Sequence, residues 1–475
     1  MKISLSVVVA LFCVSAFVTA QERLELQGGS VLDVRTLSTS LPHPTSLAID
    51  ADGFLWSTDK NSGSIWRMNA GGWSTIVGTV PGFAFDVEPR LDAQNGDHIV
   101  IVSYTTPEDH LVVARYGFDG AAIHDADVIL DVANVPANNG HSMTSLADGT
   151  LLISVGSFDV SDPADMHNLN GKVIRITTDG SAPMDNPFYN SALPADAPSN
   201  FIYTLGHRQL AGFTQLPADH ASLPGTIYAV EPGAYSFDEI NRLEAGHHYG
   251  EKFTAGFCVA PSDVRFDCPK ATFNHVPSSV AFYDHVAIPE WKNSLLVGTL
   301  RQHGLIVAQL SPDGGVANID PQMPSDDVLT LVDDQIIGFT SSLGSERIRS
   351  VAVDADGRVY LAMNSQFEGE IIGRIVVIEN PAIHTPTSVN EDVSTSTSFA
   401  YGPNPASDVV HLTLAAVPTS SWSVRIVDLM GSTIITRDCA PATTSVSLPL
   451  SGIAAGSYML VVTTETGSAT APIIH

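Results

Sequence analysis

The chain has 475 residues, 44% of them hydrophobic and only 15% charged, with 37 Gly and 29 Pro. That balance is too apolar for a disordered chain and too rich in turn formers for a helical bundle, and the length allows several domains. Acids outnumber bases 51 to 22 for a formal charge of −29, and so acidic a surface repels phosphate backbones, so no nucleic-acid partner is expected.

Residues 1–20 begin with the charged Lys2, continue in an apolar run over 3–17, and end in the small residues Val18-Thr19-Ala20 before Gln21. This is the pattern of a cleaved signal peptide. The run is short for a bilayer span and no later segment reaches its length, so no transmembrane segment is expected. Cleavage removes Lys2, and the mature charge becomes 21 − 51 = −30. In the oxidising compartment an exported chain meets, Cys258 and Cys268 are expected to form a local disulfide and the distant Cys439 to stay free.

From residue 30 to 380 one unit recurs: an apolar strand, an Asp-Gly turn, a second strand, then a Gly and a third strand. Asp52-Gly53 with Gly63, Asp148-Gly149 with Gly171, and Asp356-Gly357 with Gly373 mark three clear copies. Weaker copies lie near 99–120, 226–243 and 295–315. Asp-Gly between apolar runs signals a hairpin. Six copies in succession predict an all-β chain in radial repetition, a six-bladed β-propeller. Uneven spacing puts extra residues between the third and sixth copies, where long loops can build a site.

Residues 381–399 change character. Pro381, Pro386 and the run Ser394-Thr-Ser-Thr-Ser398 read as a linker. Residues 400–475 then form a small all-β unit with strand runs at 409–414, 423–429, 433–436, 446–450 and 458–463, a count that suits a compact β-sandwich. Its Pro403-Asn404-Pro405 opening with Asp408, its Asp428-Leu-Met-Gly431 turn and its Gly456-Ser-Tyr458 strand resemble the C-terminal sorting domain of type IX secretion substrates. The resemblance implies export by the type IX machinery to the cell surface or beyond, with a periplasmic location as the alternative.

Four stretches place polar or cationic side chains at turns or strand ends. They are Asn138-Asn139-Gly140-His141, Gly206-His207-Arg208-Gln209 with Glu231-Pro232-Gly233-Ala234 downstream, Leu300-Arg301, and Arg347-Ile348-Arg349. A loop His can take a proton near neutral pH. Alternate strand positions put Arg347 and Arg349 on one face, where they repel each other unless an anion lies between them or each pairs with an acid.

In this order, together with Leu169-Asn-Gly171-Lys172-Val-Ile-Arg175, Asp179-Gly180-Ser181, Asp185-Asn186-Pro187-Phe188, Asp238-Glu239-Ile-Asn241 and Pro289-Glu-Trp291, residues 41–380 resemble the glucose/sorbosone dehydrogenase family. These are soluble sugar dehydrogenases that use pyrroloquinoline quinone. The resemblance implies that His141 is the base taking the anomeric hydroxyl proton. It puts Arg208 beside the reactive quinone carbonyl, with Gln209 next to it on the cofactor. The Gly233 and Ala234 carbonyls would hold Ca²⁺, and Arg301, Arg347 and Arg349 would meet the cofactor carboxylates. The sequence departs from the family pattern at Ser142, Ser157, Pro232, Ala234 and Glu251.

The function implied is an exported quinoprotein that oxidises the anomeric carbon of aldoses to lactones, with hydride passing to the quinone and electrons to an external acceptor. The alternative is a non-catalytic propeller that binds glycans or another ligand at the cell surface. A spectrum taken after adding quinone and Ca²⁺ separates the two.

Overall fold

Asp50 shows why the repeat unit folds. Its Oδ1 accepts the backbone N–H groups of Asp52 at 3.1 Å and Phe54 at 2.8 Å, while Oδ2 accepts from Trp56 Nε1 at 2.8 Å and Arg67 Nη2 at 3.1 Å. The Asp two places before the Asp-Gly pair therefore closes the turn and anchors the next two strands. Asp354 repeats this on Asp356, Arg358 and Tyr360. In the third copy Leu146 stands at that place, and Asp148 takes over, accepting from Thr150 N at 2.9 Å and Arg175 Nη2 at 2.6 Å. Gly53, Gly149 and Gly357 sit at φ +80°, +88° and +81°, backbone that a residue with a Cβ adopts only under strain.

The computed structural model describes residues 22–474 apart from 27, 40, 70–71, 73, 93–94, 136–141, 158–163, 234–236, 251–265, 302–303, 320–346, 368–369, 385–398, 403–408, 415–416, 428–432, 454–456 and 466. The expected signal peptide, His141, Ala234, Cys258, Glu251, most of the linker and the Pro403 and Asp428 motifs lie outside the described residues. The chain divides into two units, residues 1–384 and 385–475.

In the first unit the described strands form six antiparallel sheets in chain order, at 48–79, 83–132, 143–205, 212–273, 277–309, and a last one at 347–379 that also takes in the N-terminal strands. Within the first five, sequence neighbours are sheet neighbours. In the last, Val31–Ser38 pairs antiparallel with Glu370–Glu379, and Glu22–Glu25 pairs outside it. The two ends of the unit therefore close in one sheet. The strand Glu22–Glu25 lies before the start at residue 30 read from the repeats.

Each sheet packs on both neighbours. Separate apolar clusters fill the junctions of the first and second sheets (Trp56, Ile65, Val100, Val102), the second and third (Ile101, Val113, Leu151, Ile174), the third and fourth (Leu152, Val173, Phe213, Ala229), the fourth and fifth (Tyr228, Phe273, Leu295, Val297), the fifth and sixth (Tyr283, Leu296, Leu361, Val376) and the sixth and first (Leu55, Met68, Tyr360, Val377). Burying one such side chain contributes about 1.5–3 kcal/mol. Two-sided burial explains why Leu151–Val155 is buried at every position where one-sided burial would give alternation.

Hydrogen bonds stitch the same junctions along the inner strands. Thr45 Oγ1 donates to the Ala84 carbonyl at 3.2 Å, Met143 N to Asp86 at 2.9 Å, Ser154 Oγ to the Leu210 carbonyl at 3.0 Å, Phe282 N to Thr214 Oγ1 at 3.2 Å, Ser278 Oγ to the Ile348 carbonyl at 2.6 Å and Leu47 N to Ser350 Oγ at 3.0 Å. Together these junctions close a ring of sheets, the arrangement of a β-propeller.

The second unit has a three-stranded sheet of Phe399–Gly402, Val409–Leu414 and Ser445–Pro449, and a four-stranded one in the order Thr433–Cys439, Trp422–Val427, Ser457–Thr464, Gly467–Ile474. Val410, Leu412 and Leu448 of the first share one core with Val424, Ile426, Leu460 and Val462 of the second. Here Val409–Leu414 alternates buried and exposed positions, as a sheet with one wet face does. Phe399–Gly402 and Gly467–Ile474 are strands that the sequence reading did not include. Cys439 is free and buried, and Cys268 is disulfide-bonded.

Candidate active site

A cavity of about 520 Å³ sits where the inner edges of all six sheets meet, with Ser46, Asp86, Ser142, Ala211, Ser278 and Arg349 lying on or just before the inner strand of the first to the sixth sheet in turn. Arg208, Gln209, Gly233 and Arg301 also line it. Arg208, Gln209, Gly233, Arg301 and Arg349, five of the residues proposed from the sequence to hold the cofactor or its metal, therefore share one space.

Glu231, buried at the end of the strand Ile227–Glu231, holds the Arg208 segment. Its Oε1 accepts the backbone N–H of Arg208 and that of Gln209, the latter at 2.7 Å, and its Oε2 meets His207 Nδ1 at 3.2 Å. The other His207 nitrogen bonds Thr204 Oγ1 at 2.8 Å, and its ring stacks on Tyr249. A backbone pinned at both amides needs little reordering to present its side chain. Arg208 Nη1 donates to the carbonyls of Pro232 at 3.2 Å and Gly233 at 3.4 Å. Asp238 fixes the other side of that turn by accepting from Gly233 N at 2.9 Å, His275 N at 2.7 Å and Val276 N at 2.6 Å. Arg301 follows, its N–H donating to the His275 carbonyl at 2.9 Å.

The late arginines part company. The strand Arg347–Val353 pairs Ile348 with Met363 and Ser350 with Ala362, so Arg349 is the extra residue of a bulge. A bulge re-aims a side chain. Arg349 lines the cavity, donating from Nε to Asn364 Oδ1 at 2.9 Å, while Arg347 is exposed and not among the lining residues. Burial, with the charge of Arg347 behind it, pushes the Arg349 pKa down to about 10.

The profile of the Glucose / Sorbosone dehydrogenase family matches residues 41–373, well over half of the chain. The chain belongs to this family. The Secretion system C-terminal sorting domain profile matches residues 401–475, which indicates export by the type IX route to the cell surface or the medium. Among curated relatives, the chain is 26% identical to quinoprotein glucose dehydrogenase B of Acinetobacter calcoaceticus over 47% of this chain and 53% of that one. It is 24% identical to an aldose sugar dehydrogenase of Escherichia coli over 72% and 92%. A Synechocystis relative of unassigned function is 28% identical over 55% of this chain and 62% of its own, so the match spans only about half to three fifths of the first and third of these relatives. Among solved structures, a glucose dehydrogenase aligns with TM-score 0.58 at 24% identity over 72% of this chain and 98% of that one. The quinone-bound aldose sugar dehydrogenase of Streptomyces coelicolor aligns with TM-score 0.55 at 22% identity over 73% and 98%. These likenesses carry the propeller fold.

Two charged lining residues escaped the sequence reading. Lys60 lies on the turn after the strand Leu55–Thr58. It is one of only six lysines in an acidic chain, and it stands at a strand end as Arg301 does. Asp86, on the strand Phe83–Leu91, accepts from Ser142 Oγ at 3.2 Å and Met143 N at 2.9 Å. Burial pushes its pKa up to about 6, and burial plus the Asp86 charge pushes Glu88, two residues on, up to about 8. Two carboxylates at alternate positions of an apolar strand were the available signal. Among the described lining residues, Lys60, Arg208, Arg301 and Arg349 thus face a single acid.

Proposed function

We propose that the chain is an exported aldose dehydrogenase dependent on pyrroloquinoline quinone, oxidising the anomeric carbon of aldoses to lactones and passing electrons to an external acceptor. In this reading residues 1–20 are a signal peptide, 30–380 a six-bladed propeller, 381–399 a linker and 400–475 a β-sandwich sorting domain. The observation that carries the reading is the excess of cations lining one cavity in a chain of charge −29. A tricarboxylate quinone meets that lining with opposite charge, and buried cations gain most from such a partner.

When bound, the quinone supplies the two-electron acceptor for hydride. Arg301 and Arg349 hold anionic groups at its edge. Arg208, pinned by Glu231, presents donors where negative charge develops. By the family resemblance the Gly233 and Ala234 carbonyls would supply the hard oxygen that Ca²⁺ prefers. His141 takes the proton from the C1 hydroxyl, without which hydride cannot leave the same carbon.

The test adds quinone and Ca²⁺ to the purified protein, records the absorption change on binding, then follows reduction by a panel of aldoses. Saturable binding and aldose-driven bleaching are expected. Binding without reduction would leave a ligand-binding propeller, and absence of binding would remove the quinone from the account.

A further inference from the structure

We propose that Lys60 and Arg349, from the first and sixth sheets, grip one carboxylate of the anionic ligand between them, so that Lys60 selects for a ligand carrying that carboxylate. The inference rests on the quinone reading and assigns it a residue.

The turn that carries Lys60 is held from both sides. Lys60 N donates to the His43 carbonyl at 3.0 Å. Asp59 Oδ2 accepts from His43 N at 2.7 Å, and its Oδ1 accepts from Ser62 N at 3.1 Å and Ser62 Oγ at 2.9 Å. Gly63 ends the turn at φ +67°, where an added Cβ would stand 2.5 Å from the Val80 carbonyl oxygen. The side chain is placed as well, with Nζ 4.8 Å from the centroid of the Phe85 ring. Phe85 lines the same cavity. A ring face holds an ammonium by cation–π attraction, which keeps Lys60 over the cavity.

Positive charge then gathers on one wall. Lys60 is pushed down by burial and next by the charge of Arg349. His43, buried behind the turn, is pushed down by burial first, with the charges of Arg349 and Lys60 adding to it. Two cations from neighbouring sheets that line one cavity repel each other, and an anion between them turns the repulsion into attraction. A carboxylate fits: one oxygen meets the guanidinium edge and the other the compact ammonium. No bond forms or breaks in this step.

The test uses the full chain and measures quinone affinity by absorption titration at fixed salt and Ca²⁺, with thermal melting to confirm folding. Lys60→Met should weaken quinone binding by at least about tenfold, the scale of one hydrogen bond to a charged group. Lys60→Arg should keep most of the affinity, and if Lys60→Met does not fold, Lys60→Gln replaces it. The Lys60→Met/Arg349→Ala double variant should lose less than the product of the single losses, because both residues hold one group. The trimethyl ester of the quinone should bind wild type and Lys60→Met equally. Unchanged quinone affinity in Lys60→Met beside a clear loss in Arg349→Ala would overturn this assignment and leave the quinone reading standing. An equal loss for the ester would overturn it too, since Lys60 would then act through shape. No quinone binding by wild type would overturn both.

Discussion

Arg208 donates from Nη1 to the Gly233 carbonyl at 3.4 Å, the same carbonyl that the family resemblance assigns to Ca²⁺. A Ca²⁺ held at that oxygen would stand beside the guanidinium, and the two positive charges would oppose each other unless the ligand draws Arg208 away. In the absence of quinone, Arg208→Ala should bind Ca²⁺ more tightly than wild type in a calorimetric titration. With quinone and Ca²⁺ present, the same variant should reduce the cofactor slower by roughly 10²–10³, the scale for losing one preorganised donor to developing charge. Tighter metal binding together with undiminished rate would remove Arg208 from the chemistry.

Arg349 and Arg347 should separate in binding. Arg349→Ala is expected to weaken quinone affinity by about 1.5–3 kcal/mol, the range for a hydrogen bond between charged groups. Arg347 is exposed, and Arg347→Ala should change affinity by less than about 1 kcal/mol, as an exposed charge does. Equal losses would mean that Arg347 also meets the ligand.

His141→Ala should slow aldose-driven reduction by roughly 10²–10⁴, the contribution of a positioned base, while quinone affinity persists. In wild type the rate should fall as pH drops below the histidine range and the imidazole takes its own proton. Stopped-flow traces across pH should show that limb in wild type and none in the variant.

The Asp86–Glu88 pair makes a stability prediction. Folding raises the Glu88 pKa from 4.5 to about 8, so the folded state holds this proton more tightly than the unfolded state. The stability that this proton contributes is complete below pH 4.5 and is lost as pH rises through 8. Glu88→Gln keeps an acceptor for Ser145 and carries no charge. Its melting temperature should match wild type near about pH 5 and exceed it near about pH 9 by more than the roughly 2–4 °C that one kcal/mol gives, because the shift spans several pH units and each unit is worth about 1.4 kcal/mol.

Removing residues 385–475 should leave the melting of the first unit and its quinone affinity unchanged, because each unit has its own core. Surface delivery should stop. Lost quinone affinity in the truncated protein would make the tail part of the site.

The repeat was legible because Asp-Gly turns and apolar runs are local. Asp52-Gly53, Asp148-Gly149 and Asp356-Gly357 mark hairpins wherever they fall, and the tail motifs carry their order in the chain itself. Arg208, Gln209, Gly233 and Arg301 were legible as turn and strand-end positions within the family's order. Other features depended on contacts between distant segments. Val31–Ser38 closes the ring on Glu370–Glu379, a pairing that no local pattern announces. The bulge at Arg349 arises from register against the neighbouring strand, and one extra residue breaks the regular alternation that spacing alone implies. Lys60 and Asp86 joined the site only because closure of the ring brings the turn after one strand and the inner strand of the next sheet to one cavity. Spacing along a strand specifies which side chains share its face, and a central cavity takes one edge from each of six such strands, so its lining is decided by closure of the ring.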